Sequence, residues 1–104
     1  MSTSAKQVVS ALGGLYLSGR LTERQLHAGE GFAADMAARA KVARLREILL
    51  STGDIDTGRR VWHAVMEVAV MDNQACRTWP DHKIGYLRRG LNRLADFGEE
   101  GGAA

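Results

Sequence analysis

Apolar residues in this chain recur at three- and four-residue intervals, and no stretch alternates for long enough to read as a strand. The pattern predicts an all-α fold. Val8, Leu12 and Leu15 mark the inner face of a first helix over residues 5–17, weakened by Gly13 and Gly14 and stopped by Gly19. The sharpest local signal is LTERQL at residues 21–26. Thr22 stands as N-cap and Gln25 at the third helical position, a capping box, with Leu21 and Leu26 as a hydrophobic staple around it. Glu23 suits the positive end of the helix dipole, so a second helix begins there.

Leu26, Phe32, Ala33, Met36, Ala37 and Ala40 share one face of that helix. Gly29, Ala33 and Ala37 form a small-residue seam on it that lets a neighbour approach closely. From Val42 onward the apolar positions, Val42, Leu45 and Leu49, fall on nearly the opposite side. One long helix is expected to about Leu50, either sandwiched between partners or kinked near residues 39–41. STGDIDTG at 51–58 reads as a loop in which Asp54 or Asp56 caps the next helix. A third helix over 57–72 would bury Val61, Trp62, Val65, Val68 and Ala69. Residues 72–78 are either its frayed continuation or one short extra turn. Trp79-Pro80 breaks the chain, because proline fits a first helical turn and disfavours helix before it. The last helix runs from Pro80 or Asp81 to about Phe97, with Ile84, Leu87, Leu91 and Leu94 as its apolar stripe. The expected organisation is one domain over 5–97, a small bundle of four or five helices with a helix-turn-helix-like C-terminal half. Residues 1–4 and 98–104 read as disordered ends.

Composition changes this picture little. The chain has 104 residues, 45% hydrophobic and 25% charged, enough for a modest core that a homodimer would relieve. The single cysteine, Cys76, excludes an intrachain disulfide and suits a reducing cytoplasm. No apolar run approaches the roughly 20 residues of a membrane helix, so no membrane partner is expected.

Charge distribution matters more than the net +2. Arg39, Lys41, Arg44 and Arg46 lie together with no acid between them, and from Arg77 to Arg93 five cations face only Asp81. In the last helix His82, Tyr86, Arg89 and Arg93 fall within about 60° of one another opposite the leucines, flanked by Lys83 and Arg88. A basic face with one aromatic suits a helix laid on a phosphate backbone or in a major groove. Every amphipathic helix has a polar side, however, and a solvated outer face is the bland account.

Other motifs lead nowhere catalytic. GEGFAA at 29–34 matches part of a dinucleotide fingerprint but lies inside a helix already begun, so its glycine serves packing. DIDTG at 54–58 lacks the glutamate that would complete a calcium loop. DFG at 96–98 has no other kinase part beside it. His27, His63 and His82 are too dispersed for a zinc site. His63 and Glu67 could pair at i, i+4, and Cys76 has Arg77 beside it but no base. No catalytic residue, cofactor or metal is expected, and the chain reads as a non-enzyme.

LTERQLHAGEGFAAD (21–35) and TWPDHKIGYLRRGLNRLADF (78–97) resemble an uncharacterised alphaproteobacterial domain found in phage-like and helix-turn-helix-associated proteins. The first segment resembles its L-T-x-x-Q-x-x-A-G-E opening. The second resembles its G-W-P motif and leucine-spaced closing helix, with Thr78 in place of the glycine. The order of helix three, short turn and cationic last helix is also similar to sigma-factor region 4, where the last helix enters the major groove.

Two functions stand as expectations. The first is a small DNA-binding or transcription-associated protein of phage or mobile-element type. Its contacts would be His82, Lys83, Tyr86, Arg88, Arg89 and Arg93, with Arg77 and the cluster of Arg39, Lys41, Arg44 and Arg46 holding phosphates. The second is a phage-type inhibitor or adaptor, such as an anti-defence protein, that docks on a host protein complex without catalysis.

Overall fold

The computed structural model describes residues 9–100, and among them every regular element is helical. Ser10 opens helix α1 (Ala11–Leu17), its hydroxyl accepting the Gly13 N–H at 2.9 Å. The Asp72 carboxylate takes the Ala11 N–H at 2.6 Å from across the fold. The helix therefore starts at Ala11 rather than Ala5, because Ser10 is extended at φ −64°, ψ 162°. Residues 1–8, including most of the expected extra length, lie outside the described residues. Gly19 ends α1 at φ 83°, with the Arg20 N–H returning to the Leu15 carbonyl at 2.9 Å.

Helix α2 (Glu23–Ala37) starts with both bonds of the expected capping box. Gln25 then faces inward, donating from Nε2 to Asn92 Oδ1 at 3.1 Å. Gly29 is buried, and a Cβ there would stand 2.8 Å from Leu12 Cδ1 and 3.2 Å from Leu91 Cδ2. The seam does bring neighbours close at Gly29, although Ala37 is exposed.

The long helix expected to Leu50 is two helices, parted at residues 38–41 where a kink was the expected alternative. Arg39 adopts φ 57°, the Ala40 N–H donates to Asp35 O at 2.8 Å, and the Arg39 N–H donates to Met36 O at 3.1 Å. That pair of bonds is a Schellman closure, with arginine where glycine usually sits. Helix α3 (Val42–Leu50) then begins after Lys41, also at φ 57°. The physical reason is the register of apolar residues. Phe32 and Leu45, Ile48 and Leu49 are all buried, and the redirected chain carries both sets into one core.

Helix α4 (Ile55–Val65) is capped by Asp54, which accepts the Thr57 N–H at 2.8 Å. It starts two residues before the expected Thr57, because Asp54, the earlier candidate cap, is the one used. It also ends early. Residues Met66–Val70 form a π-helical turn, with the Met71 N–H bonded to Met66 O at 2.9 Å. Asp72 closes it at φ 55°, and Gln74–Thr78 form a separate 3₁₀ turn. Residues 66–80 thus join α4 to the last helix, a longer connection than the three- or four-residue turn of a helix-turn-helix.

Helix α5 (Asp81–Glu99) runs two residues beyond the expected Phe97, so the expected tail is helical at Gly98 and Glu99. Residues 101–104 lie outside the described residues. Ile84, Leu87 and Leu91 are fully buried, and α5 packs against α2, α3 and α4. Each such side chain contributes about 1.5–3 kcal/mol through burial. No described helix is long and apolar enough to cross a membrane.

Candidate nucleic-acid interface

With its leucines inward, α5 presents Gly85, Arg88, Arg89, Asn92 and Asp96 to solvent, and Arg93 lies half-buried at the edge. Thr52, two residues beyond the end of α3, completes one shallow recess with these residues. A Cβ on Gly85 would meet nothing within 4 Å, so the floor there is open helix backbone.

Two of the three guanidinium groups are held by neutral acceptors. Arg88 Nε donates to the Arg20 carbonyl at 2.8 Å, and Arg89 Nη1 donates to the Thr52 carbonyl at 2.9 Å. A carbonyl bond restricts the side chain without cancelling its charge, and each arginine keeps further N–H groups for another acceptor. Arg93 is held differently, with Nη1 at 3.5 Å from Glu100 Oε2.

The acid nearest the recess has its own cation. Arg24 reaches from α2 to Asp96 at 2.6 Å and to Glu99 at 2.8 Å. Its hydrogen bonds to Glu99 and then Asp96 raise its pKa still further above the ordinary guanidinium value. The bond from Arg24 also holds the Glu99 carboxyl below its usual range. The recess therefore keeps a positive surplus from Arg88 and Arg89.

The remaining candidate contacts do not join it. His82, Lys83 and Tyr86 line a separate cleft with Arg60, His63 and Glu67, on the flank of α5 that faces α4. Lys83 Nζ sits 4.1 Å above the Trp79 ring, and Arg60 lies 6.0 Å from the centre of the half-buried Tyr86 ring. The single face expected from a helical wheel thus divides, because Tyr86 packs against the core and takes its neighbours with it. Arg77 lies on the 3₁₀ turn, its Nε 3.0 Å from where a Gly14 Cβ would stand.

The 39–46 cluster also disperses. Arg39 is exposed at the α2–α3 break, and Lys41 Nζ stands 3.9 Å from Asp35. Arg44 covers Phe97 at 5.6 Å while Arg46 covers Trp62 at 5.7 Å, so they point to opposite flanks of α3. Sequence reasoning missed Gly85 and Asn92. Their spacing with Arg88 and Arg89, i, i+3, i+4, i+7, was the available signal.

The other chemical candidates are accounted for structurally. Glu67 accepts from Asn73 Nδ2 at 3.1 Å instead of pairing with His63, because the π turn redirects it. Cys76 is fully buried, and burial pushes its thiol pKa up despite Arg77. No family model, curated protein or solved structure matches this chain. The functional reading rests on its own surface chemistry.

Proposed function

We propose that this protein binds DNA through the outer face of α5, gripping backbone phosphates with Arg88, Arg89 and Arg93. The observation that carries this reading is the convergence of three guanidinium groups on one open recess, two of them held by carbonyls that leave their charge unspent. Phosphate contacts fix position and carry no sequence information, and Asn92, whose Oδ1 accepts from Gln25, is a neutral side chain in the recess whose Nδ2 could meet a base edge. A role in transcription or in a phage-type mobile element, a natural setting for such contacts, extends the same proposal.

The test is fluorescence anisotropy with a labelled duplex across a salt series. Three phosphate contacts predict a slope of about −3 in log K against log salt. Alanine at Arg88, Arg89 and Arg93 should weaken binding at every sequence, each removal flattening the slope by about 1.

A specific feature favours a second reading, docking on a host protein. A hollow of about 430 Å³ between α2 and α5 has Phe32, Leu94 and Phe97 among its lining residues, with Arg24, His27 and Lys41 also around it. No duplex binding by wild type at low salt, together with a stoichiometric protein partner from nuclease-treated host lysate, would replace the first reading with this one.

A further inference from the structure

The cleft that took His82, Lys83 and Tyr86 away from the α5 recess has its own chemistry. It measures about 270 Å³ and lies between α4, with its π turn, and the first turns of α5. Arg60, His63 and Glu67 line one side, and His82, Lys83 and Tyr86 line the other. Five of these six side chains can donate a hydrogen bond to an anion, and four can carry positive charge.

Glu67 is held by Asn73 at 3.1 Å and keeps its negative charge, so one carboxylate stands against four side chains that can be cationic. Arg60 is steadied by Asp56 at 3.3 Å and by the Tyr86 ring, and Lys83 by the Trp79 ring at 4.1 Å. His63 and His82 are both exposed, and neither makes a side-chain hydrogen bond or ion pair among the described residues. Pro80, the N-cap of α5, gives that helix no side-chain cap, and the acid in its first turn, Asp81, is paired with Arg20 at 2.8 Å.

We propose that this cleft is a phosphate-binding site, taking inorganic phosphate or the terminal group of a phosphate monoester between His63 and His82. Lys83 supplies charge, Tyr86 Oη supplies a neutral donor, and Arg60 closes the far side. The compact tetrahedral anion suits donors carried by two helices that line one cleft. The site is separate from the arginine recess on the outer face of α5 and does not depend on the function proposed for it.

The test follows the His63 and His82 ring resonances of the full chain by NMR during titration with inorganic phosphate at constant ionic strength. Both should shift together and saturate, and a matched chloride titration should not reproduce the effect. His82→Ala and Lys83→Gln, checked for unchanged helical circular dichroism, should each weaken phosphate binding several-fold. The Arg88, Arg89 and Arg93 alanine variant should leave it unchanged. A linear, non-saturating response, an equal response to chloride, or loss only in the arginine variant would overturn the assignment. Where phosphate does bind, an oligonucleotide with a 5′-phosphate compared against its 5′-hydroxyl form separates the sources. Preference for the phosphorylated strand assigns the site to a nucleic-acid end, and equal binding assigns it to small phosphorylated molecules.

Discussion

Gly58 and Gly85 are both helical glycines, and their opposite surroundings decide what each contributes. A Cβ on Gly58 would stand 1.9 Å from the Leu50 carbonyl oxygen, so the start of α4 crosses the end of α3 backbone to backbone. A Cβ on Gly90 would meet Val65 Cγ2 at 2.5 Å and Val61 Cγ1 at 2.8 Å, where α5 crosses α4. Gly58→Ala is expected to cost about 3 kcal/mol or more, because a backbone atom cannot turn aside, and Gly90→Ala to cost about 1–3 kcal/mol. Gly85→Ala should instead stabilise by about 1 kcal/mol, since its site is open and alanine is the better helix former. Thermal unfolding checks all three, at about 4–8 °C per kcal/mol for a domain of this size. Caps were legible in the sequence where Gly58 and Gly90 were not. Thr22, Gln25 and Asp54 act on N–H groups within three residues, whereas Gly58 and Gly90 answer to partners on other helices.

At the scale of elements, the break between α2 and α3 shows why the place of the turn was legible and its sharpness was not. Nothing at residues 38–41 is a glycine or a proline, and left-handed Arg39 and Lys41 leave no local signature. The change of apolar face at Val42 was the available sign, and only the shared core shows that the chain turns there. The contact between α2 and α5 was hidden for a similar reason, since Arg24 meets Asp96 and Glu99 from far along the chain. Its consequence is a pH dependence of definite sign. Arg24 lowers the Glu99 pKa in the folded state, so the contribution is complete above the unfolded carboxyl value and is lost as pH falls through the folded one. Arg24→Ala should therefore lower the melting temperature slightly at neutral pH, slightly because the pair is exposed. The difference from wild type should begin to close as pH falls below the ordinary glutamate value of about 4.3 and vanish below the lowered folded-state one. A gap that persisted or widened in acid would assign Arg24 a packing role instead. Asp54, lowered by the Thr57 N–H, loses its contribution in the same direction in both proteins.

For the whole molecule, α5 is both the largest contributor to the core and the carrier of the proposed DNA contact. The sequence made its buried side legible, because Ile84, Leu87, Leu91 and Leu94 obey a local period that the fold had only to accept. Its outer side was legible as a set of cations but not as a grouping. Whether Arg88 joins Arg89 or Tyr86 joins Arg60 depends on where Arg20, Thr52 and α4 happen to lie. The same central position predicts how the domain comes apart. α5 packs against α2, α3 and α4, while α2 and α3 barely touch each other. A chain ending at Pro80 would leave the apolar faces of three helices uncovered, and it should show little stable tertiary structure and no sharp melting transition. The complementary peptide 81–100 should also be poorly helical in water, since Gly85, Gly90 and Gly98 each cost it about 1 kcal/mol relative to alanine. Mixed together, the two pieces should recover helical circular dichroism in a saturable way, because each supplies the apolar surface that the other lacks. A fragment ending at Pro80 that melted cooperatively by itself would place the organising contacts among α1 to α4 and make α5 an appended element.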